Sequence, residues 1–216
     1  RSIFLKYILE IETILKSLLA EVISSRYGIK DYLVISNYDT NLPDNILNDS
    51  IDKINDEINK QNGKHEAVTH YITKYGYLPP FVLTKILTFG ELSRYYSILT
   101  QSDKQYISKE FKLSDKVLKQ IIQNMTMVRN ICAHNDRLFS FHSKFLISFK
   151  YINNKYSTKD KSTNLYMIKE SMKYMLDDAK KQEFENEINK QIDKLKDNIN
   201  SIEIKTILNL MGYPNE

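Results

Sequence analysis

The chain has 216 residues, with 31 Lys or Arg against 27 Asp or Glu, a formal net charge of +4 and 42% hydrophobic residues; its mean hydropathy is −0.44. That length is enough for one buried core, so a single domain over residues 1–216 is the simplest organisation. No apolar run approaches the ~20 residues that cross a bilayer. The opening RSIFLKYILEIETILK carries charges through its apolar positions, unlike a secretory signal, so the expectation is a cytoplasmic protein with no membrane contact.

Residues 1 to 26 space Ile3, Tyr7, Ile8, Ile11, Ile14, Leu15, Leu18, Leu19 and Val22 at helical intervals, and Gly28 ends the helix. The stretch IKDYLVISNYDTNLPDN has a short strand-like core at Tyr32 to Ile35, then turn residues, and reads as an irregular connection. Pro43 and Asp44 open a second helix through Ile46, Ile51, Ile54 and Ile58, interrupted at Asn62-Gly63. Helix resumes from His65 to Tyr75 and stops at Gly76. Pro79-Pro80 starts a short helix ending near Thr88, because proline is tolerated in a first turn. Phe89-Gly90 is expected to break or kink the chain, with Gly90 admitting close backbone approach, before helix continues from Glu91. Ser102 to Phe111 is a short polar helix. His65 and His70 are five apart, point to different faces and lack a cysteine partner, so no metal site and no structural zinc are expected.

The stretch Ser114 to Phe141 carries the most information. Ser114 is a good N-cap and Asp115 suits the positive end of the helix dipole. Leu118, Ile121, Ile122, Met125, Val128 and Cys132 share one face, which must pack on a core. Cys132, the single cysteine, excludes an internal disulfide and reads as a buried structural thiol. Arg129 falls on the same face. A guanidinium in an apolar stripe costs several kcal/mol unless it is paired or meets a polar opening. Asn130 and His134, four apart, share a neighbouring face near the helix end. Histidine both takes and gives protons near neutrality, and arginine clamps phosphate. The plain alternative is that Arg129 reaches to solvent while Asn130 and His134 merely finish the helix.

Beyond His134, Asn135 and Asp136 are turn-formers. Arg137 either adds a second positive charge beside the site or lays its stem over Phe139. The segment 150–162 is polar, basic and interleaved with Tyr151 and Tyr156, a loop that can also touch an RNA backbone. Thr163 is placed to cap the next helix. Phe184, Ile188, Ile192, Leu195, Ile199 and Ile202 then form a heptad-like stripe with balanced charges, which suits packing. Between Asp103 and Lys155 there are ten Lys or Arg against four Asp or Glu, so the positive charge surrounds the Arg/His cluster. Such a field suits a nucleic-acid phosphate backbone; a solvated lysine face is the other reading. Helix after helix without strand alternation predicts an all-α multi-helix bundle with irregular connections and no substantial sheet. Glycine-rich phosphate loops, HExxH, GxSxG and EF-hand patterns are absent from the sequence.

The run Arg129-Asn130-Ile131-Cys132-Ala133-His134, followed by Arg137-Leu138-Phe139, resembles the signature of the abortive-infection (Abi-like) phage-resistance family of the HEPN superfamily. Tyr75-Gly76-Tyr77-Leu78-Pro79-Pro80-Phe81, leading to Leu87-Thr88-Phe89-Gly90-Glu91-Leu92-Ser93, resembles its central block, with Phe81 where the family tends to have tryptophan. Met211-Gly212-Tyr213-Pro214 resembles its C-terminal close. The resemblance implies a HEPN-like bundle with a further N-terminal part ahead of Arg1. It also implies a metal-independent endoribonuclease without cofactor, in which two copies pair their motifs around one RNA substrate. Arg129, Asn130 and His134 would be catalytic, with Arg137, Lys144 and Lys150 binding substrate. Such a toxin is restrained by an inhibitory RNA or protein antitoxin. Glu91 is then a candidate partner for the buried arginine, or simply a solvated carboxylate at a helix start. The reading from another class is a non-catalytic helical scaffold that grips RNA or a protein of the same defence system.

Overall fold

The computed structural model describes residues 1–147 and 162–214. Ten α-helices and one two-stranded bridge account for the regular structure there, so the all-α expectation holds. The helices are α1 (Ser2–Tyr27), α2 (Asp44–Gln61), α3 (Glu66–Tyr75), α4 (Pro80–Ile86), α5 (Phe89–Ile98), α6 (Gln101–Glu110), α7 (Asp115–Ala133), α8 (Leu165–Met172), α9 (Asp178–Asn198) and α10 (Ile204–Met211). The chain gathers into two compact units, one of residues 12–115 and one of residues 1–11 with 116–216.

In the unit of residues 12–115, α2 packs on α3, α4 and α5. Its buried positions Leu47, Ile51 and Ile54 follow the helical period, and they meet a core that includes Leu83, Phe89, Leu92 and Tyr95. Residues 29–43 make no strand. Val34 and Ile35 are exposed, and the segment turns through a 3-10 helix at Ile35–Asn37. It is anchored by Tyr32, whose hydroxyl donates to the Leu78 carbonyl at 2.7 Å, and by Tyr38, whose hydroxyl donates to the Tyr32 carbonyl at 3.0 Å. Having spent its one proton there, Tyr38 accepts from the buried Tyr95 hydroxyl at 2.9 Å.

Phe89-Gly90 does not break the chain. The break falls at Leu87-Thr88, and Thr88 opens α5 with a capping box. The Glu91 amide donates to Thr88 Oγ1 at 3.3 Å and the Thr88 amide donates to Glu91 Oε2 at 2.7 Å. The Glu91 carboxylate is therefore the helix-start group of the two readings. Gly90 is exposed in the first turn, so close backbone approach is not its role.

In the other unit, Phe184 of α9 is fully buried against Phe4 and Tyr7 of the first helical turns, with ring centroids 5.7 and 4.9 Å away. Around this contact Lys6 bridges Glu183 and Glu187 at 2.9 and 2.7 Å. The expected stripe is only half realised. Phe184 and Ile188 are buried, whereas α9 ends at Asn198 and Ile202 is 54% exposed.

Thr163 is not the cap of α8. It pairs with Ser143 in the small bridge, accepts from the Ile147 amide at 3.1 Å and donates to the Phe145 carbonyl at 2.7 Å. Asn164 caps the helix instead, its Oδ1 accepting from the Met167 amide at 3.0 Å. The C-terminal block closes on this cap. Gly212 adopts the left-handed conformation that ends α10, directly against the Asn164 side chain, and Tyr213 stacks edge-on against Tyr166 at 4.7 Å.

Candidate functional site

Helix α7 buries Leu118, Ile121, Ile122, Met125, Val128 and Cys132, the stripe read from the sequence. Burial pushes the Cys132 thiol above its ordinary value, as for a structural cysteine. Asn124 lies on the same face, fully buried. The sequence did not single it out, because an amide in a helix is ordinarily solvated. Its Nδ2 donates to the Gln120 carbonyl at 2.8 Å and to the Phe145 carbonyl at 2.7 Å, tying the segment after the motif to α7.

Arg129 sits where the stripe meets the surface. It is half-buried, and its Nε is enclosed without a hydrogen-bond partner among the described residues. Asn130 and His134 are exposed. The helix ends at them through a Schellman turn: the Asp136 amide donates to the Ile131 carbonyl at 2.9 Å and the Asn135 amide to the Cys132 carbonyl at 3.4 Å. Asn135 takes the left-handed conformation, φ 60°, in which asparagine is tolerated. The helix end thus presents an amide and an imidazole to solvent, one turn apart, with a guanidinium seated one position before the amide.

Two cations flank this turn. The guanidinium of Arg1 donates to the backbone carbonyls of Asn135 and Asp136, where the negative end of the helix dipole favours a positive group. Nothing in the sequence signals that contact. Arg137 holds its guanidinium 4.3 Å from the centre of the Phe139 ring, a cation–π contact that keeps the charge itself, and not only the stem, over the aromatic face. A cleft of about 670 Å3 opens here, mostly apolar, walled among others by Ile3, Leu138, Ile192 and Met211 and edged by Arg1 and Arg137. Arg129, Asn130 and His134 do not line it. Lys144 is exposed in the bend after the bridge, away from the turn in sequence. Lys150, Tyr151 and Tyr156 lie outside the described residues. Among the described residues no group of three His, Cys, Asp or Glu gathers as a metal site. No helix there is long and apolar enough to cross a membrane.

An all-α chain with an Arg-Asn-x3-His helix end is therefore the class of protein the coordinates define. The family model of Abi-like proteins matches residues 1–140, and the chain belongs to that family. The match takes in α7, Arg129 and His134, while the C-terminal Gly212 block lies beyond it. Membership of an abortive-infection family suggests a role in phage defence. The chain matched no curated protein and no solved structure.

Proposed function

We propose that the chain is a metal-independent endoribonuclease of HEPN type, a toxin that acts in abortive infection or as half of a toxin–antitoxin pair. The carrying observation is the end of α7, where a guanidinium whose enclosed Nε has no hydrogen-bond partner among the described residues is seated beside an exposed amide and imidazole. An unsatisfied buried donor is unfavourable by about 1–3 kcal/mol. A half-buried arginine packs its stem and holds its charge at the surface, so the terminal nitrogens of Arg129 are the ones left for a phosphate.

A ribose 2′-hydroxyl already stands beside its own phosphate, so the enzyme has only to move protons and stabilise charge. His134 takes the 2′-hydroxyl proton or protonates the leaving 5′-oxygen. Arg129 neutralises the charge that grows on the phosphorane, and Asn130 orients the imidazole or a phosphate oxygen. The end of α7 supplies one imidazole per chain, while attack and departure need a base and an acid, so two copies are paired to supply both. Arg137, Lys144 and Lys150 hold the backbone of the RNA, and an RNA or protein antitoxin restrains the toxin by covering this helix end.

The test is expression of the intact chain and of His134→Ala in a bacterial host, with growth and RNA integrity compared. The intact chain arrests growth and leaves RNA ends carrying 2′,3′-cyclic phosphate and 5′-hydroxyl in the presence of EDTA. The variant does neither while remaining folded. Cleavage abolished by EDTA, or DNA cut as readily as RNA, removes the proposal. Cellular effect and RNA binding that survive His134→Ala intact favour the non-catalytic scaffold.

A further inference from the structure

Within the unit of residues 12–115, a row of aromatic rings lies on the surface. Phe81 meets Tyr71 at 5.8 Å, Tyr71 meets Tyr75 at 5.5 Å and Tyr75 meets Tyr77 at 6.2 Å, all centroid to centroid. Tyr75 and Phe81 are each 47% exposed. Lysines are interleaved: the ammonium of Lys30 stands 4.6 Å over the Tyr77 ring and that of Lys74 stands 5.3 Å over Tyr75. Neither has a carboxylate partner among the described residues, and the same is true of Lys85, exposed beside Phe81.

At the Phe81 end the row runs into a pocket of about 280 Å3 walled by that ring, by Thr13, Ser17 and Thr84, and by Lys16 and Lys85. This is just under the ~300–1,000 Å3 of ordinary small-molecule sites, a size for one heterocycle. It offers a ring face and a cation. Lys16 is held by Glu12 at 2.8 Å, which leaves Lys85 as the free charge.

We infer that this row and its pocket bind single-stranded nucleic acid, with bases stacking on Phe81, Tyr71 and Tyr75 and phosphates meeting Lys30, Lys74 and Lys85. Exposed rings among unpaired lysines are the composition of single-strand tracks, where every base has a face to stack and every phosphate needs a cation. A protein interface would instead be depleted of lysine at its centre. A duplex keeps its bases stacked on one another and leaves the rings unused. The inference goes beyond the cleavage reading and does not require it, because none of these residues belongs to the end of α7.

The experiment measures fluorescence anisotropy with a 5′-fluorescein 20-nucleotide oligouridylate, its DNA counterpart, and an RNA duplex of equal length, on the His134→Ala chain so that nothing is cut. Single strands bind and the duplex does not compete at equal concentration. Phe81→Ala and Tyr75→Ala each raise Kd by about tenfold, Phe81→Trp restores binding, and Lys85→Ala lowers the slope of log Kd against log salt by about one. RNA bound more tightly than DNA, or equally, identifies the strand and supports the inference in either case. Both rings are half exposed, and circular dichroism verifies that their variants keep the helical signal. Overturning results are a parent chain that binds neither strand, a Tyr75→Ala/Phe81→Ala chain that binds as the parent does, and a double variant that changes only self-association in sedimentation. A chain that cuts RNA yet ignores Tyr75 and Phe81 loses this inference and keeps the nuclease proposal. One that binds through them and cuts nothing does the reverse.

Discussion

Asp103 has no solvent exposure, yet it carries a charge that three side chains meet. Arg26 approaches its Oδ1 at 2.5 Å, while Tyr27 and Thr100 donate to Oδ2 at 2.5 and 2.7 Å. The contact with Arg26 is an ion pair without hydrogen-bond alignment, since Oδ1 has no aligned donor. Breaking a fully buried pair costs ~3–5 kcal/mol. Because the Arg26 side chain is 35% exposed, Asp103→Ala is expected to cost about 2 kcal/mol and Asp103→Asn less, read as a shift in urea midpoint at constant slope. Gly212 gives a sharper case. A Cβ there would lie 2.1 Å from Cγ of Asn164, the residue that caps α8, at a φ of +87°. Gly212→Ala should therefore destabilise by ~1–3 kcal/mol, and the loss should be less than additive with Asn164→Ala in a double-mutant cycle. At Asn135, whose φ is 60°, glycine should be neutral and isoleucine should cost about 1–2 kcal/mol.

At the scale of elements, α7 is the one whose packing positions Arg129, Asn130 and His134. Met125 is fully buried in its stripe, so Met125→Ala removes contacts on every side and is expected to cost ~2–5 kcal/mol. Asn124→Leu is the discriminating change. It removes the bonds to Gln120 and Phe145, and should loosen residues 142–147 while leaving the helix intact. Hydrogen exchange would then rise at the Phe145 and Ile147 amides, not along α7. Most of the helices were legible because apolar residues recurred at helical spacing and Gly28, Gly76 and the Pro79-Pro80 pair punctuated them. The misreadings at Phe89-Gly90 and Thr163 have one cause. Both positions carry residues that commonly break or cap helices, and a neighbour, Thr88 or Asn164, took that role because tertiary packing set which carbonyl and amide were left free.

For the whole molecule, acid is the expected stress. Burial raises the Glu170 carboxyl, but the hydrogen bond from Lys173 and the nearby charge of Lys169 outweigh it and leave it below its ordinary 4.5. Asp39 is raised by burial and lowered further by Lys104 and Asn41, to a net position below 3.8. A carboxyl depressed on folding stabilises fully above its unfolded value and ceases to do so as pH falls through its folded value. Thermal midpoints should thus be flat above pH 5 and fall below about 4.5, with Glu170→Gln flattening the acid limb at some loss of stability near neutrality. Lys173, lowered by burial yet raised on balance by Glu185 and Glu170, loses its contribution only as pH climbs past its folded value.

The linear sequence was sufficient for the helical class, for the buried face of α7, and for the placing of Arg129, Asn130 and His134 within one turn of its end. These are properties of residues close in the chain, where a fixed rise and rotation convert spacing into position. Only the tertiary structure decided that Arg1 would meet the carbonyls of Asn135 and Asp136, that Gly212 would close on Asn164, and that the rings from Tyr71 to Phe81 would line up beside a pocket walled by Thr13 and Ser17. Those contacts join residues far apart in the chain. Their geometry is set by how helices pack, and no local propensity encodes it.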